Sequence, residues 1–599
     1  MAKNDETFEP KFKTLCEIYE RSVREFADRE LFGTKQDGAW KWMTYAEFGR
    51  QTDEIRGGLA ALGIGEGDTV AMIANNRPEW AVCAYATYGL AAKYAPMYES
   101  QLAKDWEYIL RDCAAKVVFV ANDEIRAAIE ELAGNLPSLG HVIVLDASKG
   151  AKLTYDGLRD KGKSNPTPLS HPKAEDLAGF IYTSGTTGNP KGVLLSHANL
   201  ASNVSAMHSV FPMSPEDRSL SFLPWAHSFG QTVELHALFS MGASMGIAES
   251  VPKIIENLGE VKPTLLFSVP RIFNKIYDGV LKKVEADGGL KKTMFYAALG
   301  AAEQKKKLAE QHRSSGFVDM KHKILDRIVF SKVRARFGGN LKYAFSGGAA
   351  LSKEVAEFVD SLGILVYEGY GLTETSPIAT ANWPGARKIG TVGKPIPGVR
   401  IEIDRQVTGD PKHGEIIVHG HNVMHGYHAL PEENERVFTA ERGFRTGDMG
   451  FLDEDGFLSI TGRIKEQYKL ENGKYVVPSP LEELLKLSPF IISAFVYGDN
   501  KPYNVALIVP DMDALKKWAE EQGITDTGAD LAKNEKVQAL MREQIDRYSG
   551  DFKQFEKIKK FSIILEDFTI DNDMLTPKMS VKRNKVLDHW GDELQGLYR

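Results

Sequence analysis

Between Ile181 and Leu200 the chain reads IYTSGTTGNPKGVLLSHANL: three glycines, five Ser or Thr hydroxyls and one lysine, set between two apolar runs. Glycine N–H groups can curl round an anion, hydroxyls can donate to it, and a lysine adds a point charge, so the natural guest of such a loop is phosphate. The run that would hold it is Thr183, Ser184, Gly185, Thr186, Thr187 and Gly188, with Lys191 just beyond. A Walker loop is absent, because that motif needs four residues between a Gly and a Gly-Lys-Ser/Thr opening a helix. Here Gly185 and Gly188 precede Lys191, and Gly192 follows it. The flanks LAGFIYTS and GVLLS both read as short strands, which predicts a hairpin tip. Taken alone, a Gly/Thr hairpin is usually only a turn.

Four further clusters have the composition of sites. Ser346-Gly347-Gly348 ends an apolar run and lets something approach the backbone; alone it is a loop. In YEGYGLTET, Glu368, Gly369, Tyr370 and Gly371 place an aromatic between glycines, which suits stacking on a planar ring. Thr373 and Glu374 pair a hydroxyl with a carboxylate, which suits Mg²⁺ carried in by phosphates. The competing reading of that pair is a capped helix start. In GFRTGDMGFLDEDGFLSITGR, Asp448 lies in a Thr-Gly-Asp turn and Arg463 follows Gly462. A carboxylate can take two vicinal ribose hydroxyls and a guanidinium the adjacent phosphate, although Asp turns are also commonplace. Finally, LPWAHSF places Pro224, His227 and Phe229 together, either lining an acyl pocket or as ordinary structural residues.

These residues need a scaffold. From Met43 to about Ala147, helical patterns alternate with short apolar strands such as DTVAMIANN, AKVVFVA and HVIVLDA, which argues for an α/β domain with largely parallel strands. A second round follows, with PTLLFSVP and LKYAFSGGAAL as strands and SKEVAEFVDSLG as a helix capped by Ser352. From GVRIEIDR to GFLSITGR, short strands with Gly and Asp turns read as antiparallel sheet. After Arg463 comes a unit with strands SAFVYGD, NVALIVP and FSIILED and helices between them. The expected division is a large domain over 1–462 and a small α+β domain over 463–599, with the boundary near 462–466.

Bulk properties narrow the class. At 599 residues and 43% hydrophobic, the chain is too long for one core. A net charge of -7 gives no reason to expect a nucleic-acid binder. Locally, residues 281–340 hold fourteen Lys/Arg against six acids and read as helix. That window is either a solvated face or a surface for membranes or anionic substrates. Cys16, Cys83 and Cys113 show no CxxC spacing, so a zinc site or disulfide framework is not indicated. The charged amino terminus has no apolar leader segment, and no run of about twenty apolar residues occurs. The expectation is a soluble, cytoplasmic protein with at most peripheral membrane contact; oligomeric state is not legible.

The five clusters together, in this order, resemble the acyl-activating, adenylate-forming enzymes. YTSGTTGNPKG looks like their phosphate loop, YGLTET their adenine and magnesium motif, RTGD their ribose motif, and GRIKEQYKLENGKYVVP their hinge and second-half-reaction loop. NNRPEW, WKWMTYAEF, the basic insert after VPRIFNKIY and the FEKIKKF…LTP tail are most similar to the long-chain fatty acyl-CoA synthetases. The resemblance implies that ATP and a fatty acid form an acyl-adenylate, which CoA then attacks. It implies Thr183, Ser184, Thr186, Thr187 and Lys191 on the phosphates, Mg²⁺ on Thr373 and Glu374, and Tyr370 stacked on adenine among Gly347, Gly348, Glu368 and Gly369. Asp448 would take the ribose, Arg463 would assist, and His227 would face the reacting carboxylate. A hinge would fall at Lys465 and a thiolation loop round Gly473. One departure stands out: the family's C-terminal lysine would fall on Ser580 in LTPKMSVKRNKV, with Lys578 and Lys582 two residues either side. Lys582 is the favoured substitute, since residues two apart in an extended strand share a face. Two other readings stay open: transfer to a carrier protein or use of an aromatic acid, and a nucleotide-binding scaffold that lost turnover.

Overall fold

In the computed structural model, residues 8–146, 153–183, 189–407, 411–550, 552–576 and 580–599 are described. Two sheets dominate the large N-terminal part. One has seven strands in the order Gly426–Tyr427, Lys191–Ser196, Leu177–Thr183, Lys93–Met97, Thr69–Ile73, Val117–Asn122 and His141–Asp146. Its last five strands in that order run parallel, as the βα alternation predicts. The other sheet has nine strands, with Leu265–Ser268, Tyr343–Ser346 and Leu365–Gly371 parallel at its centre. Helices Pro78–Tyr88 and His197–Val210 are buried on nearly every face, and one core cluster draws on both sheets. A helix with no polar face has to lie between layers.

Local chemistry sets the ends of these elements. Ser196 and Asn199 form a reciprocal cap on the helix that follows strand Lys191–Ser196. Ser352 caps Lys353–Ser361 by accepting from the Val355 N–H, as its sequence predicts. Strands Val399–Asp404, Gly414–Gly420, Phe444–Leu452 and Leu458–Arg463 form the expected antiparallel sheet.

The small C-terminal part holds a three-stranded sheet of Ile491–Tyr497, Asn504–Pro510 and Ile558–Ile563, the last pair parallel. Its two faces bury different clusters, one with Leu481, Ile508 and Met541, the other with Phe495, Leu507 and Leu594. Among the described residues no helix is long and apolar enough to cross a membrane.

Candidate active site

The Gly/Thr segment is a hairpin at both feet. Leu177–Thr183 and Lys191–Ser196 pair antiparallel, with Thr183 opposite Lys191 and Tyr182 opposite Gly192. Ser184, Gly185, Thr186, Thr187 and Gly188 lie outside the described residues. The hairpin gains a third strand, because Gly426–Tyr427 pairs with Leu194 and Val193. That addition fixes the lysine. Lys191 Nζ forms an ion pair with Glu433, which also pairs with Arg436, and it lies 5.0 Å from the Tyr427 ring centroid. Burial pulls the Glu433 carboxyl up, but the two cations outweigh it and hold it below its ordinary range.

Tyr427 also connects the hairpin to the next motif: its hydroxyl donates to Glu374 Oε1 at 2.7 Å. The Tyr367–Glu374 segment is not a helix start. Leu365–Gly371 is a strand, followed by a single 3-10 turn, Thr373–Thr375. Thr373 is buried, and its hydroxyl lies 3.2 Å from that of Ser228. Thr373 and Glu374 therefore present a hydroxyl and a carboxylate from one turn. Among the described residues no group of three His, Cys, Asp or Glu could hold a metal by itself. The donor set present, two hard oxygens from adjacent residues, fits Mg²⁺ that keeps phosphate and water ligands, and not a cation caged by protein alone.

Strand pairing brings the Gly-Gly turn beside the aromatic motif. Ser346 lies opposite Glu368 in the parallel pair, so Gly347 and Gly348 leave the sheet next to Gly369 and Tyr370. The ring of Phe229 fills the space a side chain at Gly347 would take, 3.2 Å from an ideal Cβ. The Ser346 hydroxyl is buried with no hydrogen-bond partner among the described residues. Burial pushes the Glu368 carboxyl up to about 7, against hydrogen bonds from backbone N–H groups and the charge of Arg387.

Tyr370 points at the ribose-type motif. Its hydroxyl donates to Asp448 Oδ2 at 2.7 Å, while Arg463 Nε sits 3.0 Å from Asp448 Oδ1. Burial raises the Asp448 carboxyl, partly opposed by Arg463 and Tyr370. The sequence reading of a turn at Asp448 is corrected here. Asp448 belongs to strand Phe444–Leu452, in a bulge where Arg445 and Met449 lie opposite Ile417 and Glu415. Gly447 takes φ +72°, the left-handed geometry such a bulge requires. Glu415 holds the bulge by accepting from the Gly447 N–H at 3.1 Å and pairing with Arg445 at 2.6 Å.

His227 lies in the link between strand Arg218–Ser221 and the π-helix Phe229–His236, where its Nδ1 accepts from the Phe229 N–H at 3.2 Å. Lys465 is exposed on the 3-10 turn Ile464–Glu466. Gly473 is at the tip of the hairpin Tyr468–Lys469/Tyr475–Val476, with φ +81°. Lys578 lies outside the described residues; Ser580 is exposed. Lys582 Nζ forms an ion pair with Asp573, whose other oxygen is 3.8 Å from Lys104. Sequence reading missed Ser228, Glu415, Tyr427 and Glu433. Each acts through a partner far along the chain, and no local pattern signals it.

The AMP-binding enzyme family matches residues 19–428, and the AMP-binding enzyme C-terminal domain matches residues 465–599. The chain is 34% identical over 585 residues to the long-chain-fatty-acid–CoA ligase FadD15 of Mycobacterium tuberculosis, covering 96% of this chain and 95% of that protein. It is 30% identical over 616 residues to long-chain-fatty-acid–CoA ligase 1 of Homo sapiens, covering 98% and 86%. Among solved structures, the adenylation domain of a carboxylate reductase from Mycobacterium chelonae superposes with a TM-score of 0.79 at 22% identity, covering 98% of this chain and 92% of that one. The anthranilate CoA ligase AuaEII, in complex with anthranoyl-AMP, gives 0.74 at 20% identity over 98% of both chains. On the extent of these matches, the chain belongs to the AMP-binding enzyme family.

Proposed function

We propose that this protein is a long-chain fatty acid–CoA ligase: it activates the acid with ATP to an acyl-adenylate with release of pyrophosphate, then forms the CoA thioester with release of AMP. The observation that carries the reading is the likeness, over nearly the whole chain, to relatives named for that activity. The site supports it with the chemistry such a reaction needs, since nucleotidyl transfer calls for charge neutralisation and alignment more than for covalent help.

In this reading Thr183, Ser184, Thr186, Thr187 and Lys191 hold the β- and γ-phosphates, and Lys191 exchanges Glu433 for a phosphate oxygen. Glu374, oriented by Tyr427, and Thr373, beside Ser228, would hold Mg²⁺, which supplies charge neutralisation on the phosphates. Tyr370 stacks on adenine against Gly347 and Gly348, with Glu368 and Gly369 alongside. The Tyr370 hydroxyl and Arg463 aim Asp448 at the ribose hydroxyls, and His227 faces the acid. A large domain, 1–462, and a small one, 463–599, move about Lys465, so that the loop round Gly473 builds the CoA site. Lys582 leaves Asp573 to reach the α-phosphate, with Lys578 the alternative. Contact with a membrane surface, where such acids reside, belongs to the same reading.

Pyrophosphate release by the purified protein with ATP and Mg²⁺, across acids from acetate to oleate plus benzoate, each with and without CoA, tests this. Sustained CoA-dependent turnover that is highest with the longer acids is expected. Release that stops near one equivalent regardless of CoA would point to a carrier-protein acceptor. A maximum at benzoate would reassign the acid, and silence with every acid would leave a nucleotide-binding scaffold.

A further inference from the structure

Part of the basic insert has a face that the site does not use. Helix Gly316–Leu325 continues through a π turn, Asp326–Phe330, into Ser331–Ala335. Its inner side is ordinary core. Val318 and Phe330 are buried, Leu325 and Val329 pack on the cluster containing Phe273, Phe295 and Phe358, and the Phe330 ring meets Phe295 edge-on.

The outer side is not. Phe317 is 71% exposed, Met320 59%, Ile324 51% and Ile328 42%. Spacings of three, four and four residues put all four on one stripe of the helix. Lys321 flanks the stripe on one side and Lys323 and Arg327 on the other, with Lys332 a turn beyond; all four are exposed. Among the described residues none of these cations has a carboxylate within 4.0 Å. From 316 to 336 the acids are Asp319 and Asp326, and other cations hold both: Asp319 lies 3.8 Å from Lys305 and Asp326 2.7 Å from Arg334. The result is an apolar stripe between two rows of unneutralised positive charge.

A contiguous exposed apolar stripe marks an interaction surface, and the charge decides which kind. Lysine is depleted in protein–protein interfaces, whereas a helix with an apolar stripe and Lys/Arg flanks lies naturally at the boundary of an anionic bilayer. We propose that this face seats the protein on an anionic lipid surface. Phe317, Met320, Ile324 and Ile328 enter the headgroup–acyl boundary, and Lys321, Lys323, Arg327 and Lys332 rest on the headgroups. This names the surface for the membrane contact included above and rests on that reading; the nucleotide chemistry does not depend on it.

The test is co-sedimentation of the full-length protein with vesicles of phosphatidylcholine alone or mixed with phosphatidylglycerol. The unaltered protein should pellet with the mixed vesicles, less so as salt rises. Lys321→Gln/Lys323→Gln should weaken that partition about 25-fold, at about fivefold per cation, and Phe317→Ser/Ile324→Ser should abolish it. Thermal midpoints and vesicle-free turnover of a soluble acid should match the unaltered protein, showing that the variants fold. The proposal is overturned if the unaltered protein stays in the supernatant with mixed vesicles. It is equally overturned if Phe317→Ser/Ile324→Ser pellets undiminished, or if that variant dissociates a dimer that binds no vesicle. Loss of vesicle-free turnover in the unaltered protein would defeat the ligase reading while leaving the partition result intact.

Discussion

Two lysines central to the proposed reaction are held in opposite ways. Lys191 begins a strand, faces Thr183 across a hairpin, and is fixed by Glu433, which lies six residues past the strand that completes the same sheet. Lys582 precedes the last helix and pairs with Asp573, nine residues before it. Both give up a carboxylate to act, but three strands place the first in the site before any substrate arrives, whereas the second must also be carried there. A charge already in position needs little rearrangement at the moment of reaction, whereas a charge that has to travel can gate the step in which it serves. Asp573 also lies 3.8 Å from Lys104, so the carboxylate that holds Lys582 bridges the small and large parts of the chain as well.

The largest effect should therefore come from the fixed lysine. Lys191→Ala should lower the rate of acyl-adenylate formation by about 10²–10³-fold, the cost of removing one preorganised charge from a transition state. A loss smaller than tenfold in single-turnover pyrophosphate release would put the phosphates elsewhere. The mobile lysine should matter next. Lys582→Gln should slow adenylation by about tenfold to a hundredfold while leaving thioester formation from added acyl-adenylate unchanged. Lys578→Gln should do less; the reverse order would transfer the role to Lys578.

The same contrast explains what the sequence could disclose. Strand periodicity, the Ser352 cap and the hairpin feet depend on neighbours in the chain, and they are legible there. Glu433 and Lys191 are 242 residues apart, and Glu374 and Tyr427 are 53 apart, so nothing local marks either pair. Asp448 reads as a turn because Thr-Gly-Asp is turn chemistry, yet Glu415, from another strand, makes the segment a bulge. In the insert, the charge count gives a basic helix but not its outer face. That face is set by Phe295 and the cluster that buries Val318 and Phe330.

At the ribose motif, Asp448→Asn should raise KM for ATP by about tenfold, the lower end for a hydrogen bond to a charged group. It leaves Tyr370 and Arg463 in place but removes the charge they both address, so kcat should change less than KM. Equal loss in both would mean that Asp448 acts in the chemical step.

The smallest effect is on stability, and it separates charge held for function from charge tolerated by the fold. Glu368 is pushed from 4.5 to about 7 by burial. Between those values the folded protein keeps a proton that the unfolded chain gives up, so this residue's contribution to stability falls as pH rises to 7 and levels off above it. Glu234, buried and raised to about 8, acts in the same sense. His197 and His236, buried and lowered to about 4 and about 3, act in the opposite sense below their ordinary value of 6.5. The overall pH profile therefore mixes several groups, but the difference between Glu368→Gln and the unaltered protein isolates one. That difference in thermal midpoint should be near zero at pH 4.5 and grow to a plateau above pH 7, with the variant more stable. The ceiling is on the order of 3 kcal/mol, a few degrees at most in a chain this long. A difference that shrinks with rising pH would mean that Glu368 is stabilised as a carboxylate, and that its backbone donors outweigh its burial.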